Sequence, residues 1–366
     1  MYLEKINLAN FKNYEESELV FSKQINVFTG HNGSGKTNLI DAIYYLSLTK
    51  NAFHNNDALN IKQGTEFFRL TGLFHKNEKE YFIETAFSNS QKKYFRVNKS
   101  PYEKIRDHIG QFPVILITPY DTDVIREGSE ERRKFFDSVL SQLDKVYLGE
   151  LIRYNLVLKQ RNSLLKQFNE SGLVDHDLIS TYDHQLIEAA EKIYIARSAF
   201  VKELKPLFEE HYKQLSDEKE NVNLVYESHL EKENFRQTFH ESLRTDIILQ
   251  RTRKGIHRDD FIFLINGLPL KNFGSQGQQK SFVISLKLAQ FDLIKIKKNL
   301  KPILLLDDIF DKLDDKRIFK LMEMVAADTF GQLFVTDARM KRADEVLSAL
   351  KSEVRVFNIH NGSAEK

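Results

Sequence analysis

Gly30-His31-Asn32-Gly33-Ser34-Gly35-Lys36-Thr37 places glycine, lysine and threonine at the spacing G-x-x-x-x-G-K-[ST]. The chemistry is that of a nucleotide phosphate cradle. Glycine there lets backbone N–H groups converge on phosphate oxygens, because a side chain would block the approach or forbid the dihedrals. Lys36 is expected to reach the β- and γ-phosphates of a bound nucleotide, and the Thr37 hydroxyl to hold Mg²⁺. A second constellation, Ile303-Leu304-Leu305-Leu306-Asp307-Asp308, ends an apolar run in two adjacent carboxylates. Asp307 is expected to hold the same Mg²⁺, and Asp308, the candidate catalytic residue, to polarise an attacking water. A third, Phe273-Gly274-Ser275-Gln276-Gly277-Gln278-Gln279-Lys280-Ser281, aims a hydroxyl, free N–H groups and a helix dipole one way, which suits a γ-phosphate. The same residues fit a serine capping a helix after a hairpin, and by themselves leave both readings open.

The flanks must position these groups. Ile25-Asn26-Val27-Phe28-Thr29 alternates as a short buried strand, and Leu39, Ile40, Ile43, Tyr44 and Ser47 recur at helical spacing. Strand, glycine loop and helix therefore follow in the order a cradle requires. The run before Asp307 is apolar throughout, as a strand in the middle of a parallel sheet is, and ligands sit at the carboxyl ends of such strands. Residues 67–74, 81–87 and 94–98 read as antiparallel strands that widen this lobe into a mixed sheet, and 114–117 as a further buried strand closed by Pro119.

From 129 to 254 turn residues thin out and long helical stripes take over. Leu151, Tyr154, Leu158, Leu165 and Phe168 form one stripe; Leu178, Tyr182, Leu186, Ala189, Ile193, Ala196, Phe200 and Leu204 form another. With Glu170-Ser171-Gly172 between them the two helices should pack as an antiparallel hairpin, the second ended or kinked at Pro206. Strands return at 259, and Asn266-Gly267 signals a tight hairpin. The expected organisation is a discontinuous nucleotide lobe, 1–128 and 255–366, around an inserted helical lobe, 129–254. The remaining elements are helices at 278–298 and from 316, and strands at 303–306, 333–336 and 354–359.

Lysine and arginine total 54 against 52 acidic residues, so the field of the whole molecule says nothing for nucleic acid, and any contact with it must be a local patch. Three basic stretches compete: residues 92–99, Arg251 with Arg253 and Lys254, and Lys295-Ile296-Lys297-Lys298. The absence of cysteine excludes disulfides, thiolate catalysis and cysteine metal sites. The first residues alternate as a strand rather than forming a signal peptide, and no run is long enough to span a bilayer, so a cytoplasmic location without a membrane is expected.

The order of P-loop, helical insertion, Ser275-Gln276-Gly277-Gln278-Gln279 and the Asp307-Asp308 strand resembles the ABC-type ATPases, including the SMC-like subgroup of DNA repair. The likeness narrows to the RecF family through Leu8-Ala9-Asn10-Phe11-Lys12-Asn13-Tyr14, Thr118-Pro119 with Asp121, and Glu130-Glu131-Arg132-Arg133-Lys134-Phe135-Phe136-Asp137. Gly255-Ile256-His257-Arg258-Asp259-Asp260 and the 273–279 run extend it over nearly the whole chain. The resemblance implies an α/β fold, a P-loop ABC-type ATPase lobe with an inserted helical lobe like a short SMC arm. It implies an ATP-dependent homodimer in which Ser275, Gly277 and Gln278 of one copy complete the nucleotide site of the other, with Asp311-Lys312-Leu313-Asp314 in the D-loop position. It further implies a weak DNA-stimulated ATPase that binds single-stranded or gapped DNA and helps load recombinase in recombinational repair and SOS induction, with RecO and RecR type proteins as partners. Thr336-Asp337 stands where general ABC enzymes carry a switch histidine, and Gln111 and the Thr118 segment are both open as Q-loop elements. The competing function is the ATPase subunit of an ABC-type membrane transporter.

Overall fold

The computed structural model describes residues 1–54, 56–216, 220–232, 234–309, 320, 330–337 and 353–365. The expected helix from 316 and the Asp311–Asp314 loop lie outside them. The chain forms two compact units. The first comprises Met1–Asp121, Gln214–Asp217 and Lys280–Lys366, and the second Thr122–Lys213 and Glu218–Gln279.

The first unit holds two sheets. One runs in the order Ser363–Glu365, Val354–His360, Ile25–Thr29, Leu333–Asp337, Ile303–Leu306, Val114–Ile117, parallel except for its first strand. Its inner strands are buried on both faces, which is why they read as unbroken apolar runs. The other sheet is antiparallel, Tyr14–Val20, Tyr2–Phe11, Phe67–Lys76, Lys79–Ser88, Tyr94–Val97, Ser100–Pro101. Residues 67–97 therefore do not widen the parallel sheet, as the sequence suggested, but join the N-terminal strands. Their burial is one-sided, so they suit a sheet with one wet face. The helix Lys36–Leu48 shares a single apolar cluster with both sheets, which accounts for its burial almost all the way round.

His108 closes this core with no exposed surface. Its Nε2–H donates to the Leu46 carbonyl, and Nδ1 accepts from the Tyr102 hydroxyl. Burial pushes its pKa down from 6.5 to about 4. The unfolded chain takes up a proton at the higher value and the folded one only at the lower, so stability present above pH 6.5 is lost as pH falls towards 4. The loss should approach about 2–3 kcal/mol in denaturant titrations across that window, and His108→Gln should flatten it.

The second unit contains the helical hairpin. Asp144 caps Lys145–Ser171 by accepting from the Val146 and Tyr147 N–H groups, and Gly172 ends it in the left-handed region at φ 69°. His176–Ser216 returns antiparallel, as the cross-pairs Arg161 with Asp183, Arg153 with Glu188 and Lys192 with Glu150 show. It runs through Pro206 to Ser216 instead of ending there. Arg161, fully buried, also donates to Asp246 and Thr252. Val222–Glu227 is a strand where helix was expected, pairing with Asp260–Ile265, whose hairpin partner Leu268–Pro269 follows the positive-φ turn Asn266-Gly267. Residues 255–279 thus group with the helices, not with the nucleotide lobe as the sequence placed them. The reason is that Asp260–Ile265 takes its neighbour from 222–227, inside the supposed insertion.

Candidate nucleotide site

The cradle spans the end of Ile25–Thr29 and the start of Lys36–Leu48. Gly30 lies at φ 143°, and a Cβ on it would stand 2.3 Å from the Ile359 carbonyl oxygen. Gly30→Ala should consequently weaken ATP binding and lower stability by about 1–3 kcal/mol, read from nucleotide titration and thermal melting. Lys36, 6 % exposed, donates from Nζ to the Gly30 and His31 carbonyls at 2.7 and 3.0 Å. The ammonium is thereby held over the loop before any phosphate arrives. The Ser34 hydroxyl is buried with no partner among the described residues, and His31, Asn32, Gly33 and Thr37 are exposed around it. An orphaned donor in a loop of exposed backbone fits the oxygens of a polyphosphate.

Support for the loop comes from residues whose sequence gave no sign of it. The Ser34 carbonyl accepts from Gly362 N–H at 2.9 Å and Asn13 Nδ2 at 3.0 Å, and the Gly35 carbonyl from the Tyr14 hydroxyl at 3.1 Å. Burial raises the Tyr14 pKa, so the phenol stays a donor. Asn13 in turn accepts from Asn38.

The parallel register sets Asp307 beside Thr37. The Thr37 hydroxyl donates to Asp307 Oδ1 at 3.1 Å, and the Thr336 hydroxyl donates to the same oxygen at 2.8 Å. Burial and the neighbouring Asp308 raise the Asp307 pKa, while Thr336, Thr37 and Lys36 oppose them. Adjacent ligand oxygens on an octahedral Mg²⁺ stand about 3 Å apart, so Thr37 and Asp307 fit two positions of that ion. Thr336 also accepts the Asp308 N–H at 2.8 Å. Asp308 sits at φ 51°, a left-handed conformation uncommon for a residue with a Cβ and tolerated by Asp and Asn. Thr336 thus orients the Asp307 carboxylate and holds the backbone of Asp308.

Other expected contacts sort by place. Lys12 pairs with the buried Asp41 and lies 5.6 Å from the Phe53 ring centroid. Thr118 follows Val114–Ile117 at the end where Asp307 N–H bonds Ile117, whereas Gln111 precedes that strand and is at the opposite end. Position therefore favours the Thr118 segment over Gln111. In the second unit, Ser275 N–H donates to Gln278 Oε1 and Gln278 N–H to Ser275 Oγ, a capping box at the head of Gln276–Lys298. Gln278 Nε2 donates to Glu220. Arg132 clamps Asp260 with two bonds, and Asp259 is buried against Arg197, Tyr226 and Ser228, a network inside this unit.

Among known proteins, the family model described as RecF/RecN/SMC N terminal domain matches residues 2–364. The DNA replication and repair protein RecF of Cytophaga hutchinsonii is 50% identical over all of this chain and 97% of its own. That of Flavobacterium johnsoniae is 45% identical over 98% and 100%. A solved structure of the recombination mediator protein RecF with ATPrS in the RecFOR pathway superposes with a TM-score of 0.90 at 29% identity, covering 100% of this chain and 98% of that one. The Smc head domain of Pyrococcus furiosus shares the fold at a TM-score of 0.57 and 17% identity, covering 100% and 95%. On a phosphate cradle, a carboxylate pair and a likeness that spans the chain from end to end, this protein belongs to the RecF family of ABC-type ATPases.

Proposed function

We infer that the protein is an ATP-operated clamp of DNA replication and repair, binding single-stranded or gapped DNA and closing as a homodimer when ATP is bound. One observation carries this: an intact cradle with Lys36, Thr37, Asp307 and Asp308 gathered at one sheet edge, in a chain whose full length follows the RecF family. A transporter subunit would share the cradle but not the likeness from residue 2 to 364.

Gly30 to Thr37 hold the triphosphate of ATP, and Lys36 balances its β- and γ-oxygens. Thr37 and Asp307 hold Mg²⁺, which when bound shields phosphate charge. Asp308 orients the water that attacks the γ-phosphate, in a slow, DNA-stimulated hydrolysis that serves as a switch. In the capping box the Ser275 Oγ accepts the Gln278 N–H and keeps its own O–H to donate, and the first N–H groups of that helix, at Gln276 and Gly277, have no intrahelical acceptor. Those donors, with Ser275, Gly277 and Gln278 among them, read the γ-phosphate on the other copy. Loss of the γ-phosphate removes that contact and opens the clamp. RecO and RecR type proteins are the fitting partners in recombinase loading, given solved relatives described in the RecFOR pathway. No helix among the described residues is long and apolar enough to cross a membrane.

The test is a salt titration of binding to gapped, single-stranded and duplex DNA with and without ATP. ATP should tighten binding to gapped DNA, with affinity falling steeply as salt rises. Equal affinity with and without ATP on every DNA would reject the clamp.

A further inference from the structure

Within the second unit, Ser129, Arg133, His229, Arg253, His257 and Arg258 line a cavity of about 430 Å³, with no carboxylate among the described residues of its wall. The nucleotide cycle uses none of them. Arg253 and Arg258 are exposed at its rim, and neither guanidinium has a hydrogen-bonding or ion-pair partner among the described residues. Arg133 spends one nitrogen on the Asp259 carbonyl and keeps the rest of its fork. Glu130 and Glu131 are engaged with Lys134, and Asp259 with Arg197.

The floor adds donors without adding charge. Ser129 opens the helix Ser129–Leu143, whose cap Gly128 supplies no side chain; the Glu131 N–H bonds the Gly128 carbonyl, and the N–H groups of Ser129 and Glu130 have no intrahelical acceptor. His229 accepts the Gly255 N–H on Nδ1 and has Nε2 to offer. His257 is fully engaged, with Nδ1 accepting from Tyr154 and Nε2–H donating to the Thr252 carbonyl. Burial, followed by the charges of Arg258, Arg133 and His229, presses its pKa down to about 4. His229 is lowered by burial and then by Lys254, Lys232 and Arg258. The positive charge of this space therefore comes from its arginines, beside two imidazoles that burial holds below their ordinary range.

We propose that this cavity is a second anion site, separate from the ATP cradle, that takes a phosphate oxyanion between Arg133, Arg253 and Arg258 with Ser129 and His229 as neutral donors. Arginine forks bind phosphate in the bidentate manner that a carboxylate-free concave wall favours. The phosphate is either one of the DNA backbone, which rests on the DNA-binding reading above, or a free phosphoryl ligand.

The experiment uses the full chain with the cradle saturated by ADP, and inorganic phosphate as probe. It follows the imidazole resonances of His229 and His257, assigned with His229→Gln and His257→Gln. Phosphate should move both and raise their pKa values, because an anion relieves the arginine field. Arg253→Glu combined with Arg258→Glu should abolish these shifts while ATP affinity and melting temperature stay at wild-type values. Imidazoles that phosphate does not move, or shifts that survive in the double variant, would overturn the site. In the DNA arm, a loss of about tenfold or more in affinity with a salt dependence shallower by about 2 assigns the phosphate to the backbone. Unchanged DNA binding alongside lost phosphate binding assigns it to a free ligand. A wild-type protein that responds to phosphate but binds no DNA would fail the clamp reading and leave this site standing.

Discussion

Lys36→Ala should reduce ATP affinity by about 100-fold or more, equivalent to ~3 kcal/mol, in a calorimetric titration. The ammonium is nearly buried and already aimed by two carbonyls of its own loop, so ATP gains a charge-assisted contact without the cost of ordering a long side chain. Alanine removes that charge from beneath the β- and γ-phosphates, and no neighbouring cation of the loop replaces it. The fold should survive, because Gly30 and His31 lie on a surface turn where water can satisfy the released carbonyls. Circular dichroism and melting temperature should therefore stay near wild type while binding is lost. Unchanged affinity would remove the phosphate assignment and, with it, the switch.

Asp308→Asn should leave ATP binding within a few-fold of wild type and lower turnover by about 10²–10⁴. Asparagine is the informative replacement. It keeps the size of the side chain and tolerates the left-handed backbone at φ 51°, so the N–H bond to Thr336 persists, whereas most other residues would strain the turn. Only the carboxylate that we propose orients water is lost. ATP-bound dimers should then accumulate on DNA, read by multi-angle light scattering. Wild-type hydrolysis in this variant would transfer the catalytic role elsewhere, and a monomer at saturating ATP would count against closure in trans.

The elements that carry the cradle were legible because each is local. A buried parallel strand shows as an apolar run, a glycine loop as spacing, and the helical hairpin as two stripes with a glycine C-cap, all within a few turns of chain. What failed was long-range. The Tyr2–Phe11 strand chooses Phe67–Lys76 over the parallel sheet, and Val222–Glu227 draws Asp260–Ile265 away from the nucleotide unit; strand partners are chosen by tertiary packing, which alternation cannot name. Pro206 stays inside a helix because packing over the length of His176–Ser216 outweighs one missing hydrogen bond. The serine of 273–279, open between two readings, is a helix cap in the single chain, and what it does for a second copy belongs to the proposed dimer.

By itself the amino-acid order determined the local geometry of the loop that we propose holds phosphate. Gly30, Gly35, Lys36 and Thr37 occupy one loop and one helical turn, so their spacing already is their geometry. The tertiary structure alone decided what surrounds that loop. Thr336 reaches Asp307 and Asp308, Gly362 and Asn13 brace Ser34, and Arg133 faces the same cavity as Arg253 and Arg258. Such groups lie far apart along the chain, and only the pairing of strands and the packing of helices, driven by burial of their apolar faces, brings them within hydrogen-bond reach.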